Sequence, residues 1–176
     1  LGELSFKGDR YGLKGKRSIA MVAPDGDPLA ALVQEIADLH APVYQSLPSR
    51  LRGDPLGNYL EESGTIIARS SRVFEPFMQS FVASLVKTGR PLRILEVGCG
   101  SGVYLRHTVA ANSQVSGVAI DLQQSVVEQA VTNLTKWGIG DRFQVMVGDI
   151  RNPSTVLDGP FDLVTLYNNV YYFPVE

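Results

Sequence analysis

The chain has 176 residues, room for one ordinary domain or for a domain with an attached segment, and its 44% hydrophobic and 19% charged residues allow a buried core and exclude a disordered tail. With 16 Lys and Arg against 18 Asp and Glu, the formal charge of -2 argues against a broad nucleic-acid surface. A lone cysteine rules out an internal disulfide and a cysteine-built zinc site, and the two histidines, His40 and His107, lie too far apart in sequence to suggest a histidine-rich metal centre.

No apolar run approaches the ~18 to 20 residues of a membrane span, and no charged-then-apolar leader opens the chain. A cytoplasmic protein without membrane attachment is expected. Residues 1 to 26 read as a basic arm, with Lys7, Arg10, Lys14, Lys16 and Arg17 between scattered glycines. Gly15-Lys16 lacks the upstream glycine and the following Ser or Thr of a phosphate loop, so the arm is read as a solvated linker. Asp27-Pro28 is a helix start, a capping side chain followed by a first-turn proline. Leu29, Leu32, Val33, Ile36 and Leu39 follow at helical spacing, and Pro42 should end that helix. Residues 46 to 64, with Pro48, Gly53, Pro55, Gly57 and Gly64, read as loop. A second helical stretch is expected from about Ile66 to Lys87, which Pro76 should kink or restart.

From residue 91 the pattern changes to short strands alternating with helices. Strands are expected at Leu92 to Val97, Val115 to Ile120, Phe143 to Val147 and Phe161 to Tyr167. Helices are expected at residues 102 to 111 and from Leu122 to Trp137, the latter closed by Gly138, and a short one after Pro153. Strands separated by helices imply right-handed crossovers and an α/β, Rossmann-like doubly wound parallel sheet. Two parts are expected: an arm and helical segment over 1–64, and a binding domain over 65–176.

In such sheets a ligand sits beyond the carboxyl ends of the strands, where strand order reverses. The first strand ends in Glu96-Val97-Gly98-Cys99-Gly100-Ser101-Gly102. Alternate glycines let the backbone turn sharply and let a ligand press against it. The dinucleotide pattern G-x-G-x-x-G is not met, because Val103 stands at its third glycine. Glu96 would repel a pyrophosphate and suits a cationic ligand. After the second strand, Asp121 stands about 20 residues beyond the loop, where an acid accepts ribose hydroxyls; with Gln124 it also makes a helix-capping pair. After the third strand, Gly148-Asp149-Ile150 offers a carboxylate to an adenine amino group and an apolar face to the ring, or is an ordinary turn. After the fourth, Tyr167-Asn168-Asn169-Val170-Tyr171-Tyr172 should face the reactive end of the ligand.

Together, over roughly residues 91 to 173, these residues resemble the class I S-adenosylmethionine-dependent methyltransferases. The resemblance implies S-adenosylmethionine as cofactor. Gly98, Gly100 and Gly102 would flank its methionine moiety, with Cys99 and Ser101 between them and Glu96 close to the ammonium group. Asp121, with Leu122 beside it, would hold the ribose, and Asp149 with Ile150 the adenine; Asn168 would contact cofactor or substrate. The implied activity is methyl transfer to a small-molecule acceptor at oxygen, nitrogen or carbon. The alternatives are a nicotinamide-dependent oxidoreductase and a non-catalytic binding module. Asn168-Asn169-Val170-Tyr171 lacks the prolines of the N-P-P-Y-like tetrapeptide of adenine and cytosine methylators, which disfavours nucleic acid as substrate, and Asn168 replaces the acid of metal-dependent phenol methylators. No catalytic base stands out; His107 reads as packing or surface. Arg69 and Arg72 read as a solvent-facing pair, with a reach to the cofactor carboxylate as the alternative. Residues 27 to 87 are expected to serve as a lid or as a homodimer contact. The family's sheet has seven strands, so further strands are expected beyond Glu176 or from another chain.

Overall fold

The computed structural model describes residues 2–55, 57, 59–152, 157–167 and 169–170, with the backbone alone at 59–62. The expected solvated linker is instead ordered structure. β1 (Leu4–Lys7) and β2 (Arg10–Leu13) pair antiparallel, with Leu4 opposite Leu13 and Phe6 opposite Tyr11. Gly8, at φ +66°, opens the Gly8-Asp9 turn between them, where a two-residue hairpin requires positive φ. Glu3 ties the hairpin to α1 (Lys16–Met21): its carboxylate accepts the Ser18 N–H at 2.9 Å.

α2 (Asp27–Glu35) has Pro28 in its first turn, but Asp27 caps nothing. The capping position is Gly26, and the Asp27 carboxylate accepts hydrogen bonds from Arg69 instead. Pro42 does not stop the helical run. A π-helical turn at Ile36–His40 intervenes, and α3 (Ala41–Arg50) starts afresh with Pro42 in its first turn, where a missing N–H is tolerated. The expected loop over 46–64 is narrower than its composition suggests, because α4 (Tyr59–Ser70) already contains Gly64. A 3-10 turn, Ser71–Phe74, leads into α5 (Glu75–Val86), which Pro76 opens from its first turn. Of the two effects allowed to Pro76, the restart is the one observed.

β3 (Leu92–Val97), α6 (Val103–Ala111), β4 (Val115–Asp121), α7 (Gln124–Lys136), β5 (Phe143–Val147) and β6 (Leu163–Thr165) complete the described elements. The short helix expected after Pro153 falls on residues outside the described ones. The four strands form one parallel sheet in the order β5-β4-β3-β6, so the chain moves outward from β3 and then returns to its other side. β6 is the edge, and Val164 on it is exposed.

The period-two alternation of β3 divides the core. Leu92 and Ile94 face a cluster with Val86 of α5, Leu105 of α6 and Ala130 and Leu134 of α7. Leu95 and Val97 face the opposite side with Val118, Ile120 and Phe161. Glu96 falls on the same face as Ile94, beneath α6, and is 1% exposed. Trp137, at the end of α7, touches both the main cluster and a smaller one of Val82, Val103 and Tyr104. The Arg106 guanidinium lies 5.1 Å from its ring centre.

Candidate functional site

Strand register brings the informative residues to one edge. Val97 pairs with Ile120, Asp121 with Val147, and Glu96 with Thr165. The segments that follow β3, β4, β5 and β6 therefore open on a common cleft of about 190 Å³ beside the point where strand order reverses.

The first wall is the glycine-rich turn. Gly98, Gly100 and Gly102 all have positive φ, at +68°, +53° and +76°, a backbone that L side chains adopt only at a cost. Their neighbourhoods differ. A Cβ on Gly98 would meet Asn169 Nδ2 at 2.1 Å, while one on Gly102 would press Leu134 at 3.3 Å. Gly98, Cys99, Gly100 and Ser101 line the cleft, whereas Gly102 is the packing residue that lets α6 start against α7. Cys99 is buried; burial first, then the neighbouring Glu96 and Asp121, push its thiol up.

Asp121 ends β4 in a cage of backbone donors. Its Oδ2 accepts the Gly100 N–H at 3.0 Å and its Oδ1 the Gln123 N–H at 3.2 Å. Burial raises its carboxyl from the ordinary value against the pull of those N–H groups. It does not cap α7, whose capping position is Gln123 without a side-chain hydrogen bond. The carboxylate is committed to the glycine turn, which fixes that turn and the acid together. Leu122 lies beside it in the cleft. Across β5, Asp149 and Ile150 line the same cleft, and Arg151 holds the Asp149 carboxylate at 2.7 Å and below its usual pKa.

Glu96 occupies a different position from the rest. It is not on the cleft surface but behind Val97, Tyr104 and Tyr167, which are. Both its carboxylate oxygens are buried without a partner, and burial pushes its pKa up to about 8. The Tyr167 hydroxyl, the Ser101 hydroxyl and Asn169 Oδ1 are likewise buried and unpartnered. Tyr104 and Tyr167 meet at a tilt of 48° with ring centres 4.6 Å apart, and Asn169 donates its other amide end, Nδ2, to the Val97 carbonyl.

Of the residues singled out from sequence, Asn168, Tyr171 and Tyr172 lie outside the described residues, whereas Asn169 lines the cleft. Sequence reasoning missed the roof. Gly64, Ile67 and Ala68 of α4, with Ser71 at the start of the 3-10 turn that follows, are spaced three and four apart and close the cleft over Gly100, Gln123 and Val126. A Cβ on Gly64 would stand 3.1 Å from Gln123 and 3.2 Å from Val126, so glycine permits this approach. The small-residue spacing was the available signal, hidden by reading Gly64 as a loop residue. Arg69 and Arg72 are neither a free solvent pair nor cleft residues: Arg69 binds Asp27 and Arg72 binds Glu75. His107, buried on α6, pairs with Glu75 at 2.9 Å away from the cleft lining.

The family model described as a methyltransferase domain matches residues 94–176. Residues 94–176, which hold the glycine-rich turn, Asp121 and Asp149, are thus similar to a methyltransferase domain. The parallel sheet with its flanking helices is an α/β, Rossmann-like fold, and solved methyltransferase structures share it. Over 98 residues the chain is 30% identical to the Type II methyltransferase M.XamI of Xanthomonas campestris pv. amaranthicola, covering 56% of this chain and 18% of that protein. An O-methyltransferase family protein from Burkholderia thailandensis shares the fold over 93% of this chain and 51% of its own, at a TM-score of 0.65 and 18% identity. The mitomycin 7-O-methyltransferase MmcR does so over 94% and 52%, at 0.68 and 16%. The similarity to these two structures runs upstream of residues 94–176 into the helices before them. The chain spans about half the length of these two solved structures and 18% of M.XamI.

Proposed function

We propose that the protein carrying this chain uses S-adenosylmethionine to methylate a small-molecule acceptor at oxygen, nitrogen or carbon, in the cytoplasm. The observation that carries this reading is the chemistry of the cleft: Asp121 and Asp149 line it at the ends of two strands, Glu96 backs its wall at the end of a third, and buried polar oxygens near the glycine turn have no partner among the described residues. A ligand that presents donors all along its length, an ammonium, two ribose hydroxyls and an adenine amino group, fits such a lining. When bound, the cofactor supplies a methyl group already activated by its sulfonium.

On this reading the chain's own residues bind and orient. Asp121, held by Gly100 and Gln123, receives the ribose hydroxyls. Asp149 and Ile150 take the adenine edge and face, with Arg151 setting the carboxylate. Gly98 and Gly100 give room for close approach, and Glu96 supplies negative charge at the ammonium end. The Tyr104–Tyr167 pair presents aromatic faces, which favour a cation. The roof from α4 excludes water, which supports the lid role for the upstream helices. No base is assigned within the chain; alignment of acceptor, methyl and sulfur is the main requirement.

Titration calorimetry with S-adenosylhomocysteine and with NAD tests the assignment. Micromolar binding of the former and none of the latter is expected; binding of NAD alone would overturn it. A mass-spectrometric screen of metabolite extracts then seeks a product 14 Da heavier, beginning with phenols and alcohols. Donor binding without any methylated product would favour the non-catalytic module.

A further inference from the structure

We propose that Glu96 is the site's proton valve: it holds a proton while the cleft is empty and surrenders it to solvent when a ligand ammonium enters, so that cofactor uptake is coupled to release of one proton. The inference rests on the proposed methyl-donor site and adds to it a proton count and a pH dependence.

The geometry leaves Glu96 no other way to ionise. Both oxygens are buried, and among the described residues neither receives a hydrogen bond from backbone or side chain. An unpaired carboxylate in such a place is strongly disfavoured against its acid. The titratable groups around it are acids: Tyr104 from α6, Tyr167 from the segment after β6, Cys99 on its own turn, and Asp121 beyond Cys99. The basic groups on the packed elements are engaged elsewhere. Arg106 lies over Trp137, His107 and Arg72 hold Glu75, and Arg69 holds Asp27. Asn169 Oδ1, an acceptor, adds to the negative potential. Burial places the carboxyl's pKa at about 8, so near neutrality the empty site carries the acid form. An ammonium in the cleft brings the missing positive charge up to the wall of Val97, Tyr104 and Tyr167 that Glu96 backs, and the proton leaves to solvent.

The test is calorimetry at pH 7 in two buffers of different ionisation heat, with S-adenosylhomocysteine and with 5′-methylthioadenosine, which lacks the ammonium. S-adenosylhomocysteine should release close to one proton, and its Kd should fall about tenfold per pH unit from pH 6 to 7.5 and level off near 8. Methylthioadenosine should release none. Glu96→Gln should abolish the release and the pH dependence while leaving methylthioadenosine affinity within about twofold. Binding of S-adenosylhomocysteine by the parent protein without proton release overturns the valve and leaves the methyl-donor reading standing. Failure of both ligands to bind overturns the two together. The parent-protein measurement decides the matter even if the variant does not fold.

Discussion

At the Asp121 end of the cleft the acceptors are already engaged: Asp121 takes two backbone N–H groups, and Asp149 is clasped by Arg151. At the Glu96 end the reverse holds, with two carboxylate oxygens, two hydroxyls and one amide oxygen buried and unpartnered. The first end is preorganised, so binding there orders little that is not already ordered. The second stores unsatisfied polarity that only a donor-rich, cationic group relieves. On the proposed reading, affinity for the adenosine half and selection for the charged half fall to different strands of one sheet.

Removing the stored polarity should have the largest effect. The folded protein keeps a proton on Glu96 up to about pH 8, whereas the ordinary value of a glutamate carboxyl, taken for the unfolded chain, is 4.5. Between those values the folded state binds more protons, so its stability falls as pH rises through that window. Glu96→Gln should remove this penalty, with a gap over the parent on the order of 3 kcal/mol at pH 8 that closes towards pH 5. Thermal unfolding without ligand at several pH values measures it, and a constant gap would break the contrast. Next comes Asp121→Ala, which strips the glycine turn of its anchor. An S-adenosylhomocysteine Kd about 100-fold weaker is expected in calorimetry, with the circular dichroism unchanged. A loss under about fivefold would show that the finished end is not where affinity resides.

Two glycines sharpen the comparison. Gly98→Ala and Gly102→Ala each place a Cβ at positive φ, for roughly 1–2 kcal/mol of lost stability in denaturant titration. Only Gly98→Ala, which drives a Cβ into Asn169, should also weaken S-adenosylhomocysteine binding by the folded fraction, by about tenfold. Gly102→Ala should leave it within about twofold. Smallest is Asp27→Asn, which loosens the half-exposed Arg69 pair steadying α4; a Kd change of about threefold or less is expected.

The sheet was legible because β3 to β5 are short apolar runs bounded by Gly and Asp, and the parallel order follows from the helices between them. The glycine turn, Asp121 and Asp149 were legible because strand ends are where such folds place ligands. The hairpin was not, since its Leu4, Phe6, Tyr11 and Leu13 alternation is diluted by Lys and Arg. Nor was the roof. Whether Ile67, Ala68 and Ser71 face α7 or solvent depends on how α4 docks, which local sequence does not encode. Asp27 misled for a related reason: a residue of capping type found a partner 42 positions away. That Glu96 lies behind the wall, not in it, follows only from the face of β3 on which it falls.

Trp137 is the only tryptophan in the chain, and it sits where α6 and α7 meet, against the cluster that holds Tyr104 but off the cleft lining. Its emission is therefore a built-in optical gauge of a single joint. A ligand in the cleft that shifts α6 would alter that light by moving the Arg106 cation, 5.1 Å from the ring centre, against the indole. Occupancy and helix movement can thus be followed in real time without attaching a dye.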